Sequence, residues 1–119
     1  MMQKTVLIID DDGFDGMIIS ALLNQTIYKV IAHCKSGVDG IKKAEDMKPD
    51  FILVDKLMPE MDGLEVVEKL KVLKLNSVVI LMSSDDLKEV KDFCATCDVH
   101  HFLQKPISRN LILNLLDRI

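Results

Sequence analysis

Five short apolar runs, each separated from the next by a stretch of helical periodicity, constrain this chain more than any other feature. Val6–Ile9, Tyr28–Ala32, Phe51–Val54 and Val78–Met82 are nearly continuous and mostly rich in Val and Ile, and His101–Leu103 forms a weaker fifth. Strands buried on both faces carry such unbroken runs, whereas half-exposed strands alternate apolar with polar residues. Between the runs, apolar residues recur at helical spacing. Met17, Ile18, Ala21 and Leu22 make one stripe, and Val38, Ile41 and Ala44 a second. Val66, Val67, Leu70 and Leu73 make a third, and Leu87, Val90, Cys94 and Cys97 a fourth. Leu111, Ile112, Leu115, Leu116 and Ile119 form the last, with Ser108 placed to cap its helix just after Pro106. Strand–helix alternation repeated five times predicts an α/β sandwich built on a mostly parallel sheet. No linker, low-complexity segment or repeat interrupts it, so residues 1–119 read as one domain.

Charge and composition narrow what such a domain does. Nineteen acidic side chains against fifteen Lys and Arg leave a net charge of −4. That balance excludes a broad basic surface for nucleic acid, which binds through many Lys and Arg contacts to phosphate. Aromatic residues, at 4%, are too few to build several base-stacking platforms. The longest apolar runs fall far short of the roughly 20 residues that a membrane span requires. Near the N-terminus, the apolar stretch after Lys4 ends at once in three aspartates, a pattern unlike a secretory signal. Three cysteines, an odd number, fit a reducing cytoplasmic compartment better than a disulfide framework.

Polar residues mark the ends of the runs. The first run is followed by Asp10, Asp11 and Asp12, the third by Asp55, the fourth by Ser83 and Ser84, and the fifth by Lys105–Pro106 after one intervening residue. In a parallel sheet these ends share one edge, where open α/β folds place their sites. An aspartate alone at such a position is equally well explained as the cap of the following helix. The full set converging on one edge has a chemical reading as well. Clustered carboxylates repel one another, and Mg²⁺ neutralises them through one or two carboxylate ligands while keeping waters and phosphate oxygens. A lysine and a serine hydroxyl opposite would orient an incoming phosphoryl group, so the set could accept one onto a carboxylate.

These segments resemble the receiver domain of two-component response regulators over nearly the whole chain. Val6–Asp12 is similar to the family's opening strand and acidic pair, and Lys48–Asp55, continuing through Met58–Pro59 to Met61-Asp62-Gly63, to its phosphoacceptor segment. Ser83 follows Asp55 by 28 residues and Lys105 follows Ser83 by 22, spacings typical of the family. The resemblance implies a doubly wound, flavodoxin-like sandwich of five helices on a five-stranded parallel sheet, order 2-1-3-4-5. It further implies that Asp55 is the phosphorylated residue and that Asp10, Asp11, Asp55 and the Leu57 backbone carbonyl hold Mg²⁺. Lys105 would pair with the phosphoryl group through a loop whose Lys105–Pro106 bond is cis. Ser83 and Phe102 would form the switch that passes phosphorylation to the surface of the fourth helix, fifth strand and fifth helix. Implied partners are a sensor histidine kinase or phosphotransfer protein, with a homodimer through that surface open; nucleic acid and membrane are not expected partners.

Some positions depart from the family pattern. Ser84 adds a hydroxyl where a small residue is usual, Phe102 lacks a phenolic hydroxyl, and Asp98 stands where many members end a helix with Gly. Gly13, Gly16 and Gly40 read as locally loose, because glycine costs a helix interior roughly 1 kcal/mol against Ala. Other functions fit less well. Cys94 and Cys97 with His100 and His101 have zinc-like spacing, but both cysteines continue the apolar stripe of the fourth helix. An aspartyl-nucleophile phosphatase needs a second Asp where Leu57 stands. A flavodoxin-type carrier would bring its phosphate against three aspartates. A pseudo-receiver that signals by binding alone would have no need of the intact Asp10, Asp11, Asp55, Ser83 and Lys105 set.

Overall fold

The computed structural model describes residues 3–119, so the first two residues of the predicted domain lie outside it. Five strands, β1 (Lys4–Ile9), β2 (Tyr28–Cys34), β3 (Phe51–Asp55), β4 (Val78–Ser83) and β5 (His101–Gln104), alternate with five helices. The helices are α1 (Gly13–Leu22), α2 (Gly37–Met47), α3 (Gly63–Val72), α4 (Leu87–Cys97) and α5 (Arg109–Arg118). All strand pairs are parallel, in the order β2-β1-β3-β4-β5. The unbroken apolar runs are explained by this arrangement. Alternate residues of β1 serve opposite faces: Val6 and Ile8 pack with Ile19 of α1 and Ile112, Leu115 and Leu116 of α5. Leu7 and Ile9 pack with Ala44 of α2 and Val66 and Leu70 of α3. A third cluster joins Leu81 to Val67, Val90, Cys94 and Cys97 beneath α3 and α4.

Every helix begins at an Asp or Ser cap. Asp12, Ser36, Asp62, Asp86 and Ser108 each accept a backbone N–H of the following turn, which satisfies a donor the helix leaves free. The expected cap at Ser108 is among them. Asp98 ends α4 in the left-handed region at φ 55°, a conformation that Asp tolerates better than most residues. The Lys105–Pro106 bond is cis, as the resemblance implied.

The α1 stripe is rotated from its expected phase, and the α2 stripe departs from it in the first turn. In α1 the buried face is Gly16 and Ile19, continued by Leu23, while Met17 is 70% exposed. In α2 it is Gly37, Gly40 and Ala44, with Ile41 packed against the same cluster, so Ala44 and Ile41 lie as expected and only Val38, 63% exposed, departs from the expected stripe. Leu87 and Leu111 also lie at the surface. Gly16 and Gly40, expected to loosen their helices, have a packing role as well. A Cβ on Gly16 would lie 2.1 Å from His33 Nδ1, and one on Gly40 would lie 2.5 Å from Ile9 Cδ1. These glycines let α1 and α2 approach the sheet, and a hydrophobic stripe count cannot register a residue that packs by having no side chain.

Candidate phosphoryl-transfer site

The strands end nearly in step. The Asp10 backbone N–H donates to Cys34 O, that of Lys56 to Met82 O, and that of Lys105 to Ser83 O. This register brings Asp10, Asp55, Ser83 and Lys105 to one edge of the sheet. Asp10 is fully buried, the Asp55 side chain is 13% exposed, and Asp11 is open to solvent. Carboxylate oxygens of Asp10, Asp11 and Asp55 all lie within 4.8 Å of one another, and among the described residues no other such group of His, Cys, Asp and Glu occurs. Leu57 follows in the loop after β3 with its side chain at the surface, so its expected part is confined to its backbone.

Asp12, third of the opening aspartates, turns away from this group. Its side chain accepts the Phe14 N–H as the α1 cap, while its own N–H donates to Asp10 Oδ1 at 3.0 Å. Lys105 Nζ donates to Asp10 Oδ2 at 3.0 Å and lies 3.5 Å from Asp55 Oδ1. Its shortest contact is one that sequence reasoning missed: Asp15 Oδ2, at 2.7 Å. Asp15 reads in sequence as an ordinary acidic residue in a first helical turn.

Ser83 is buried, and its hydroxyl accepts the Asp85 N–H at 3.0 Å. The loop after β4 is tied across the sheet edge as well. Lys56 pairs with the Asp85 carboxylate while its Nζ lies 5.0 Å from the Phe93 ring centre, and Gln104 Nε2 donates to Asp85 O at 2.9 Å. None of Lys56, Asp85 or Gln104 carried a signal in the sequence. Phe102 is half-buried, packing against the α4 cluster and lining a surface hollow with Leu111, Leu115 and Arg118. His33 Nε2–H donates to the Asp10 backbone carbonyl at 2.8 Å. Cys94 and Cys97 lie in the core as their stripe predicted, where burial pushes the Cys94 thiol up to about 11 and raises that of Cys97 as well.

The electrostatics favour a cation. Burial first, and then the neighbouring Asp10 charge, push the Asp55 carboxyl up from 3.8 to about 6, although Lys105 pulls the other way. Burial also works against the Lys105 charge, but hydrogen bonds to Asp15 and Asp10 outweigh it and hold the ammonium above the ordinary lysine value. Three convergent oxygens, one of them on a carboxyl reluctant to ionise, suit a hard divalent ion with oxygen preference. Because Asp55 holds its proton more tightly folded than unfolded, the metal-free protein should lose stability as pH rises from about 4 to about 6. Thermal melts across that range without divalent ions should show the decline, and Mg²⁺ should reduce it. Equal slopes with and without Mg²⁺ would count against a metal at these oxygens.

Fold and strand-edge constellation together define a receiver. Residues 6–117 match the family model described as the response regulator receiver domain, and the chain belongs to that family. It is 25% identical to the chemotaxis protein CheY of Thermotoga maritima over 118 residues, which cover 99% of this chain and 98% of that protein. Among solved structures it resembles chemotaxis protein CheY4 of Vibrio cholerae, with a TM-score of 0.88, 24% identity and coverage of 98% of both chains. The receiver domain of sensor histidine kinase PA1611 from Pseudomonas aeruginosa, solved with a magnesium ion in its active-site cleft, has a TM-score of 0.86 and 22% identity. That likeness covers 98% of this chain and 96% of the other.

Proposed function

We propose that residues 1–119 form one phosphoacceptor receiver domain of a two-component system, modified on Asp55. The observation that carries this reading is the convergence of the Asp10, Asp11 and Asp55 carboxylates with the Lys105 ammonium at the strand ends. A carboxylate oxygen of Asp55 attacks phosphorus of a phosphohistidine on a histidine kinase or phosphotransfer protein. The P–N bond breaks, its electron pair stays on the imidazole, which then takes a proton, and an acyl phosphate forms. Asp10, Asp11, Asp55 and the Leu57 carbonyl would hold Mg²⁺, which would neutralise charge on the transferring group. Water attack on phosphorus later releases inorganic phosphate and restores the carboxylate. The domain is thus a switch with self-catalysed chemistry.

Phosphorylation replaces one charge at Asp55 by about −1.5 to −2 and adds strong acceptors. Ser83 leaves the Asp85 N–H for a phosphoryl oxygen, Phe102 repacks into the space it vacates, and the α4–β5–α5 surface changes for a partner or a second copy. No described helix is long and apolar enough to cross a membrane, and a cytoplasmic location belongs to the same reading. Incubation with a small phosphodonor should add one phosphoryl mass only when Mg²⁺ is present. Absence of that gain, with Mg²⁺ present, would reject the reading. Lys105→Ala should still accept the phosphoryl group but lose any phosphorylation-dependent association, read by light scattering or partner titration. An unchanged association response would remove Lys105 from the switch.

A further inference from the structure

Asp15 occupies the third position of α1, where an acidic side chain commonly turns back to the N–H of the capping residue. Here that N–H, on Asp12, is already taken by Asp10 Oδ1. The carboxylate of Asp15 is therefore free to reach across the edge of the site, and it makes the shortest of the three contacts to Lys105 Nζ. The close seat of α1 on β2, where Gly16 meets the His33 ring, holds the first turn of the helix within that reach. Lys105 is largely shielded from solvent, and Asp15 is partly so, so their attraction is less screened than in a surface pair.

We propose that Asp15 is a positioning residue that withholds Lys105 from Asp55, so that a phosphoryl group must compete with the Asp15 carboxylate for the ammonium. The inference rests on the phosphoacceptor reading of Asp55 and Lys105 above. Before phosphorylation, Lys105 is anchored by Asp15 and Asp10, with Asp55 at the edge of its reach. A phosphoryl group on Asp55 draws the ammonium over by its larger charge, and Asp15 is left to water through its exposed edge. Asp15 thereby sets how readily the phosphorylated state is occupied, without touching the transferred group.

Beryllofluoride, which adds to an aspartate carboxylate as a phosphoryl mimic, tests this by titration of the full chain in Mg²⁺. Asp15→Asn should bind it about 5- to 30-fold more tightly than wild type, the range that a partly shielded ion pair allows. Asp15→Glu, which keeps the charge, should stay within about twofold of wild type. Glu60→Gln removes an acidic charge from the neighbouring loop without contact to Lys105, and should also stay within about twofold. Equal or weaker binding by Asp15→Asn overturns the inference, as does an equal gain in Glu60→Gln, which would mean a general field effect. A wild-type protein that fails to bind beryllofluoride overturns the phosphoacceptor reading itself and this inference with it.

Discussion

Asp55→Asn should lower Mg²⁺-dependent phosphoryl uptake by about 10³-fold or more, the scale on which removal of a nucleophile acts. The neighbouring carboxylates are poorly placed to take over. Asp10 is buried, with one oxygen accepting the Asp12 N–H and the other the Lys105 ammonium. Asp11 is exposed, and among the described residues the ion pairs of Lys105 do not include it. An amide at position 55 offers no anionic oxygen to attack phosphorus and removes one ligand of the proposed metal site. Mass spectrometry after incubation with a small phosphodonor measures the loss, and uptake at the wild-type level would move the acceptor elsewhere. The same variant should be more stable than wild type at neutral pH without metal, by about 1–3 kcal/mol, because the carboxyl raised to about 6 no longer has to ionise beside Asp10.

Gly40→Val should destabilise the fold by about 3 kcal/mol, lowering the melting temperature by roughly 10 °C. Helix propensity alone would make the change favourable, since glycine is among the poorest residues in a helix interior. The structure reverses that sign. The first added carbon already falls 2.5 to 2.9 Å from the side-chain carbons of Ile9, which is fully buried in the central strand. To admit a valine, α2 must lift from the sheet, and β1, which carries Asp10 at its end, must shift with it. Val38→Ala on the same helix points to solvent and should change stability by less than about 0.5 kcal/mol. Thermal or denaturant melts of the two variants measure the contrast. A neutral Gly40→Val would show that α2 does not approach the sheet as closely as described.

The strands were legible in the sequence because burial on both faces writes an unbroken apolar run. Asp10, Asp55, Ser83 and Lys105 were legible as a set because every strand of a parallel sheet points its C-terminal end to the same edge. Helix phase was less legible. In α3, Val66, Val67 and Leu70 are buried as their spacing indicates. In α1 and α2, glycines form part of the buried face and add nothing to an apolar stripe, so the expected stripes took in the exposed Met17 and Val38, although Ile41 and Ala44 do face the core.

Among the aspartates the division is sharper still. The sequence by itself determined that the acidic run following β1 stands at the C-terminal edge of the sheet, because strand period and strand–helix alternation follow from local pattern. Only the tertiary structure decided that Asp12 caps a helix, that Asp15 holds Lys105, and that Lys56 and Asp85 tie two loops together. The Asp15 contact depends on how far α1 is rotated and how closely it seats on the sheet, and the Lys56–Asp85 pair on how the loops after β3 and β4 meet. That rotation is set by packing between elements distant in the chain, where a glycine opposite Ile9 or His33 counts for more than any neighbour in sequence.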